Sequence, residues 1–168
     1  MPSPNPDLYF DRRRAADGAI VGCAGEGRQD LDERIVVRNA RTDGRALLDR
    51  LEARCRAEGL AEAIVIDLRV VAEEVLTNVA KYAFEPGVAP AVELRVSFTE
   101  GAALLEFRDE GRAFDPLGEP PPDLGLPPEE RPLGGLGLAL VRALVDEALY
   151  EREQGANVLR LVKRRAGQ

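Results

Sequence analysis

Residues 72–84 read Ala-Glu-Glu-Val-Leu-Thr-Asn-Val-Ala-Lys-Tyr-Ala-Phe, a stretch without proline or glycine whose apolar residues recur at helical spacing. On a helix of 3.6 residues per turn, one stripe collects the apolar side chains of Leu68, Ala72, Val75, Val79 and Ala83. A second stripe carries Glu74 and Asn78, four residues apart, and Lys81 one turn further on. The sequence therefore predicts a helix with one buried face and a polar site on another.

Three polar side chains on the non-core face of a helix are, by themselves, most often a solvated surface. Glu74 and Asn78 gain significance only because two further motifs follow them along the chain. Each motif adds a different part of one nucleotide-binding pocket.

Composition limits the chemistry that this chain of 168 residues can perform. The net charge of −7 argues against direct binding to nucleic acid or to an anionic membrane. No apolar run approaches the length of a membrane span, the N-terminus does not resemble a signal peptide, and two separated cysteines suit a reducing compartment. We therefore expect a soluble, cytoplasmic protein.

The chain contains no histidine. This excludes a Ser-His-Asp triad, the usual catalytic zinc sites and a phosphohistidine intermediate on this chain. Catalysis must depend on carboxylates, amides, backbone groups and a metal ion.

The first part of the chain divides into an extension and the start of a domain. Residues 1–32 lack sustained periodicity and are predicted to form a flexible N-terminal extension, and residues 33–166 are predicted to form one domain. A short strand at residues 35–37 precedes a helix capped by Thr42 or Asp43 and ended near Gly59. The helix of residues 61–84 follows.

The second half alternates short strands with a loop and a helix. Residues 92–98 and 104–109 read as a hairpin, and seven of the twelve prolines fall in a long loop over residues 116–132. A helix from residue 136 to about 148 precedes strands near residues 148–152 and 158–162. The order β-α-α-β-β-α-β-β predicts an α/β two-layer sandwich, with a mixed, mostly antiparallel sheet and three helices on one face.

The second motif ends the hairpin. Leu105, Phe107 and Asp109 point to the same side of a strand, so burial of the first two carries the carboxylate toward the core. A carboxylate at the floor of an apolar cavity suits the exocyclic amine of adenine, although Asp109 could equally cap a strand end. Gly111 then allows a sharp turn toward Phe114.

The third motif is Gly134-Gly135-Leu136-Gly137-Leu138 at the start of the last helix. Glycines let the backbone approach a ligand, and the free N–H groups of a first helical turn attract phosphate. The motif is neither a Walker loop nor a dinucleotide fingerprint, because the residues that define those are missing.

Taken in order, the three motifs resemble the Bergerat-type ATP-binding domain shared by gyrase-type ATPases, the Hsp90 chaperone and histidine kinases. The likeness is strongest to the bacterial anti-sigma factor serine/threonine kinases. It covers about residues 35–164, and Gly155-Ala156-Asn157 is similar to the closing motif of that family. Tyr82 departs from it, since many such kinases carry histidine there.

The resemblance implies a role for each motif. Asn78 would hold Mg²⁺, Glu74 would act as the general base, and Asp109 would accept the adenine amine. Lys81 would either reach a phosphate or remain solvated, and the proline-rich loop would cover the nucleotide. Further ATP-binding positions implied by the family are Gly111, Phe114, Gly134, Gly135, Leu136, Gly137, Leu138 and Asn157.

The implied function is that of an ATP-dependent serine/threonine protein kinase and anti-sigma factor. Such a protein binds a sigma factor and phosphorylates an anti-anti-sigma protein of the STAS type, without direct nucleic-acid or membrane contact, and a homodimer is compatible with the family. The alternative is a non-catalytic ATP-binding module that sequesters a partner. A detached histidine-kinase ATPase domain is disfavoured because the chain has no phosphoacceptor histidine. Glu74 favours the enzyme, because sequestration needs no base.

Overall fold

The computed structural model describes residues 33–118 and 136–165. Within these residues the elements follow the predicted order, namely β1 (Glu33–Val37), α1 (Ala40–Ala57), α2 (Glu62–Asn78), a π-helical turn (Val79–Ala83), β2 (Val92–Phe98), β3 (Ala102–Asp109), α3 (Leu136–Leu144), β4 (Glu147–Glu153) and β5 (Ala156–Arg164). The predicted extension over residues 1–32 and most of the proline-rich loop lie outside the described residues.

The five strands form one sheet in the order β1-β2-β3-β5-β4. All four pairings are antiparallel, so the predicted mostly antiparallel arrangement is confirmed, and the expected parallel pair does not occur within the described residues. Alternate residues of the strands, such as Leu94, Leu105 and Leu161, are fully buried and belong to one core with residues of α1 and α2. The predicted two-layer α/β sandwich is confirmed.

Helix α1 begins earlier than predicted. Its N-cap is Asn39, whose side chain accepts a hydrogen bond from the backbone N–H of Arg41, so the prediction of Thr42 or Asp43 is wrong. Asparagine is among the preferred N-cap residues because its side-chain oxygen satisfies a free N–H of the first turn. The predicted stop is confirmed, since Gly59 follows the helix with a φ of +72°.

Helix α2 buries the predicted stripe and changes geometry at its end. Leu68, Ala72 and Val75 are at most 4% exposed. The α-helix stops at Asn78, and Val79–Ala83 continue as a π-helical turn, a feature often found at functional sites. The guanidinium group of Arg41 donates to the backbone oxygen of Ala80 at 2.7 Å, which stabilises this turn from the α1 side.

Helix α3 is shorter than predicted, because it ends at Leu144 instead of about residue 148. The chain has already entered β4 by then, since Glu147 pairs with Val162 and the N–H of Asp146 donates to the oxygen of Val162 at 2.8 Å. Strand pairing therefore overrides a helical apolar pattern. No helix within the described residues is long and apolar enough to cross a membrane.

Candidate functional site

Four of the predicted positions, namely Asn78, Phe114, Leu138 and Asn157, line an apolar cavity between α2, α3 and the sheet. Its walls are Val75, Asn78, Val79, Phe107, Phe114, Pro116, Leu117, Leu138, Val141, Tyr150, Asn157 and Leu159. The cavity volume is about 20 Å³, enough for roughly one water molecule. This volume is too small for a nucleotide base, so a base can enter only if the walls of the cavity move apart.

Asn78 contributes a polar side chain to the wall of this cavity. Its side-chain nitrogen is buried and has no hydrogen-bond partner among the described residues. A buried amide without a partner is uncommon in folded proteins, because desolvation is then uncompensated. Rotation of the amide plane exchanges oxygen and nitrogen, so the group can present either an acceptor or a donor to a ligand.

Glu74 lies one helical turn before Asn78, on the same face of α2. Its carboxylate contacts the start of α3, where a Cβ atom built on Gly137 would come within 2.0 Å of Oε2 of Glu74. The structure therefore places a carboxylate beside the first turn of a helix, the place where backbone N–H groups favour anions.

Asp109 ends β3 and is only 7% exposed. Its Oδ1 accepts from the backbone N–H of Gly111 at 2.9 Å and from the amide nitrogen of Asn157 at 2.8 Å. Burial raises the pKa of the Asp109 carboxyl, while the bonds from Asn157 and Gly111 and the charge of Arg152 oppose that rise. Asp109 does not itself line the cavity, but its partner Asn157 does.

Asn157 is the centre of a hydrogen-bond network at this end of the sheet. Its oxygen accepts from the hydroxyl of Tyr150 at 2.8 Å and from the guanidinium of Arg152 at 2.7 Å. The same Arg152 nitrogen donates to the backbone oxygen of Gly111 at 2.9 Å. The network ties β4 and β5 to the loop that follows Asp109.

That loop is held against the π-helical turn on its other side. The N–H of Arg112 donates to the oxygen of Ala83 at 2.8 Å, and its guanidinium donates to the oxygen of Tyr82. The ring of Phe114 stacks on Tyr82 with centroids 5.3 Å apart. Gly111 leaves no room for a side chain here, since an added Cβ would lie 2.3 Å from the oxygen of Ala83.

Lys81 lies apart from the cavity. It is exposed and lines a groove between α1 and α2, together with Arg45 and Glu73. The π-helical turn interrupts the α-helical spacing that would have aligned Lys81 with Glu74 and Asn78. We therefore leave Lys81 out of the proposed nucleotide site. Gly134 and Gly135 lie outside the described residues, as does the side chain of Leu136.

Sequence reasoning missed Tyr150, Arg152 and Arg112. All three donate hydrogen bonds to the loop after Asp109, to Asn157 or to the π-helical turn. The alternation of β4 places Tyr150 and Arg152 on one side of the strand. Their connection to Asn157 depends on strand register, however, which the local pattern does not encode.

The site belongs to a nucleotide-binding domain of the α/β sandwich type. Residues 37–163 match the family model described as the histidine kinase-like ATPase domain, and the chain belongs to this family. The family assignment and the predicted ATP use are confirmed.

Curated relatives of this chain indicate the class of enzyme within the family. The serine/threonine-protein kinase BtrW of Bordetella bronchiseptica is 33% identical over 72% of this chain and 79% of its own length. The serine-protein kinase RsbW of Listeria monocytogenes is 27% identical over 60% of this chain and 67% of its own length. The predicted enzyme class, a serine/threonine protein kinase, and the resemblance to the anti-sigma factor kinases are confirmed by these relatives.

A solved structure shows the same fold. The RsbU and RsbW domains of Rv1364c from Mycobacterium tuberculosis match with a TM-score of 0.52 and 17% identity, over 79% of this chain and 32% of that chain. At this identity the likeness concerns the fold alone.

Proposed function

We propose that this protein is an ATP-dependent anti-sigma factor kinase, which binds a sigma factor and phosphorylates a serine or threonine of a STAS-type anti-anti-sigma protein. The observation that carries the proposal is the position of Glu74. Its carboxylate contacts Gly137 at the start of α3 and lies one turn from the uncommitted amide of Asn78. A carboxylate that would act as the base and an amide that would bind Mg-ATP thus lie near a helix N-terminus suited to phosphate.

In the proposed reaction, the carboxylate of Glu74 takes the proton of the acceptor hydroxyl. The hydroxyl oxygen then attacks the γ-phosphorus of ATP, the bond from that phosphorus to the β–γ bridging oxygen breaks, and ADP leaves. The first turn of α3, from Gly137 onward, would face the phosphates with its N–H groups, and Asp109 would accept the adenine amine.

The residues fit a magnesium ion that arrives with the nucleotide. Within the described residues, no group of three or more His, Cys, Asp or Glu side chains could hold a metal ion. Magnesium commonly takes few protein ligands when phosphates and waters supply the others. Asn78 would provide its amide oxygen, and the bound ion would neutralise phosphate charge.

The alternative function is a module that binds ATP and sequesters a partner without transferring phosphate. Such a module has no need of a carboxylate at the start of α3. The contact between Glu74 and Gly137 therefore favours the enzyme.

Phosphate transfer can be tested with ATP labelled at the γ-phosphate, Mg²⁺, the purified full chain and a lysate of its host. We expect one small protein to acquire acid-stable, alkali-labile label, and a sigma factor to be retained by the tagged chain. Glu74→Gln should abolish labelling while the sigma factor is still retained. If the wild type binds ATP and the sigma factor but labels no protein, the sequestering module is the better account.

A further inference from the structure

Asn157 has no hydrogen-bonding capacity left for a ligand. The residue is 5% exposed. Its nitrogen donates to Oδ1 of Asp109 at 2.8 Å and to the backbone oxygen of Arg112 at 2.9 Å. Its oxygen accepts from Tyr150, from Arg152 and, at 3.3 Å, from the N–H of Phe114. Because an amide offers two N–H donors and one acceptor oxygen, every polar atom of Asn157 is used within the protein.

The hydrogen bonds of Asn157 connect β5 to the end of β3 and to the loop that follows it. Both bonds donated by its nitrogen reach the segment that runs from Asp109 to Phe114, one at the carboxylate and one at a backbone oxygen. Both protein bonds of Asp109 end on Oδ1, so Oδ2 has no protein donor among the described residues. The orientation of the Asp109 carboxylate is thus set from one side.

We propose that Asn157 is a positioning residue that does not touch ATP, and that its amide nitrogen orients Asp109 so that Oδ2 is left for the ligand. This inference rests on the proposed function, because it takes the ligand to be ATP. It reassigns Asn157 from a nucleotide contact to the support of the residue that makes the contact.

The charge on Asp109 gives this role a measurable signature. Titratable groups that face the carboxylate are Arg152 and Tyr150 on β4, with Asp115 of the loop facing Tyr150. Arg152 and the donor of Asn157 favour the ionised carboxylate, whereas burial opposes it. Since the ionised form is the stronger acceptor, loss of the Asn157 donor changes how ATP binding depends on pH.

Asn157→Asp is the selective test, because it keeps the oxygen that accepts from Tyr150, Arg152 and Phe114 and replaces only the nitrogen. At pH 8 two carboxylates would then lie side by side, and we expect ATP affinity to fall about tenfold or more. As the pH is lowered, the pair takes up one proton, which replaces the lost donor, and affinity recovers. Wild-type affinity changes in the opposite direction, falling as acid protonates Asp109.

Calorimetry of ATP binding from pH 5.5 to 8.5 distinguishes an Asn157 that orients Asp109 from an Asn157 that contacts ATP directly. Tyr150→Phe serves as the comparison, because it removes a donor to the oxygen of Asn157 and leaves the nitrogen bonded to Asp109. Its pH dependence should follow that of the wild type. If Asn157→Asp loses affinity by one constant factor at all pH values, or binds as the wild type does, the positioning role is overturned.

A second measurement needs neither a variant nor ATP. In the wild-type protein, the side-chain amide protons of Asn157 should shift in NMR spectra with the same midpoint as the carboxyl carbon of Asp109. An amide that does not respond to this titration contradicts the proposal. Absence of ATP binding by the wild type would instead contradict the proposed function, so the two failures are distinguishable.

Discussion

The carboxylate of Glu74 and the backbone of Gly137 are in direct contact, and the absence of a side chain at Gly137 makes this contact possible. A Cβ atom on Gly137 would lie 2.0 Å from Oε2 and 2.8 Å from Cδ of Glu74. Real Cβ atoms do not approach so closely, so any larger residue displaces the carboxylate. Gly137 is the second residue of α3, and the contact joins α2 and α3 at the proposed phosphate end of the site.

Gly137→Ala should separate stability from catalysis. Alanine in place of glycine in a helix stabilises by about 0.5–1 kcal/mol, and the flexible Glu74 side chain can move aside. We expect an unchanged or higher melting temperature together with a large loss of phosphate transfer, because the base is displaced. Thermal unfolding and transfer from labelled ATP measure the two effects.

Gly44→Ala is the matched control for Gly137→Ala. Gly44 is buried within α1, and an added Cβ would meet Cδ1 of Leu76 at 3.6 Å, an ordinary van der Waals contact. This variant should gain similar stability while phosphate transfer stays at the wild-type rate. Equal transfer rates in the two alanine variants would contradict the role of the Glu74–Gly137 contact.

The fold could be predicted because its main elements carry local signals. The alternation of β2 and β3, the apolar stripe of α2 and the turn at Gln154 and Gly155, both with positive φ, all follow from residue patterns. The end of α3 was missed because the pairing of β4 with β5 competes with helix formation. Asn39 was missed as a cap because it precedes the apolar pattern that marks the helix.

The site was predictable only in part, for a physical reason. Glu74 and Asn78 share a face because they lie four residues apart on an α-helix. The same spacing does not extend to Lys81, because the π-helical turn begins at Val79. Lys81 therefore faces another groove. The Asn157 network joins residues that meet only through the register of β3, β4 and β5, and no local pattern encodes such contacts.

Gly111→Ala should destabilise the protein by about 1–3 kcal/mol, because the new Cβ would lie 2.3 Å from the backbone oxygen of Ala83. Backbone atoms cannot rotate away as a flexible side chain can. Urea unfolding measures the change. Gly101→Ala, in the turn between β2 and β3, meets nothing within 4 Å and should stay within about 0.5 kcal/mol of the wild type. Equal stability of both variants would contradict the close approach at Gly111.

Asp109→Asn should weaken ATP binding by about ten- to a hundredfold, the effect of losing one hydrogen bond to a charged group. The introduced amide can keep its oxygen toward Asn157 and the N–H of Gly111, which leaves its nitrogen, a donor, where the adenine amine needs an acceptor. Calorimetry with ATP tests this. Unchanged affinity would remove Asp109 from the adenine site.

The same variant should not lose stability in the absence of ATP. Because burial raises the pKa of Asp109, the folded state holds the proton more tightly than the unfolded chain does. Proton binding by Asp109 therefore stabilises the folded state. This stabilisation is complete below the pKa of the unfolded chain and is lost as the pH rises through the pKa of the folded state. At pH 7 the ionised carboxylate therefore lowers stability. Asp109→Asn should melt at the wild-type temperature or above at pH 7, and its advantage should shrink on acidification.

Asn78→Ala should abolish the benefit of magnesium for ATP binding. The nitrogen of Asn78 has no hydrogen-bond partner among the described residues, so loss of this atom breaks no hydrogen bond within that part of the protein. We expect wild-type ATP affinity to increase on addition of Mg²⁺ and the affinity of the variant to stay nearly constant. Titrations with and without Mg²⁺ measure this. An equal increase in both proteins would show that Asn78 is not the ligand.

Glu74→Gln separates proton transfer from binding. Glutamine keeps the size of the side chain and its contact with the start of α3, but it cannot take a proton from the acceptor hydroxyl, a role worth about a hundred- to ten-thousandfold in rate. Phosphate transfer should therefore collapse while ATP affinity and partner retention persist.

Glu73→Gln is the control, because Glu73 is exposed, points about 100° away around the helix and lines the groove on the α1 side. It should transfer phosphate at the wild-type rate. Wild-type transfer by Glu74→Gln would rule out this carboxylate as the base.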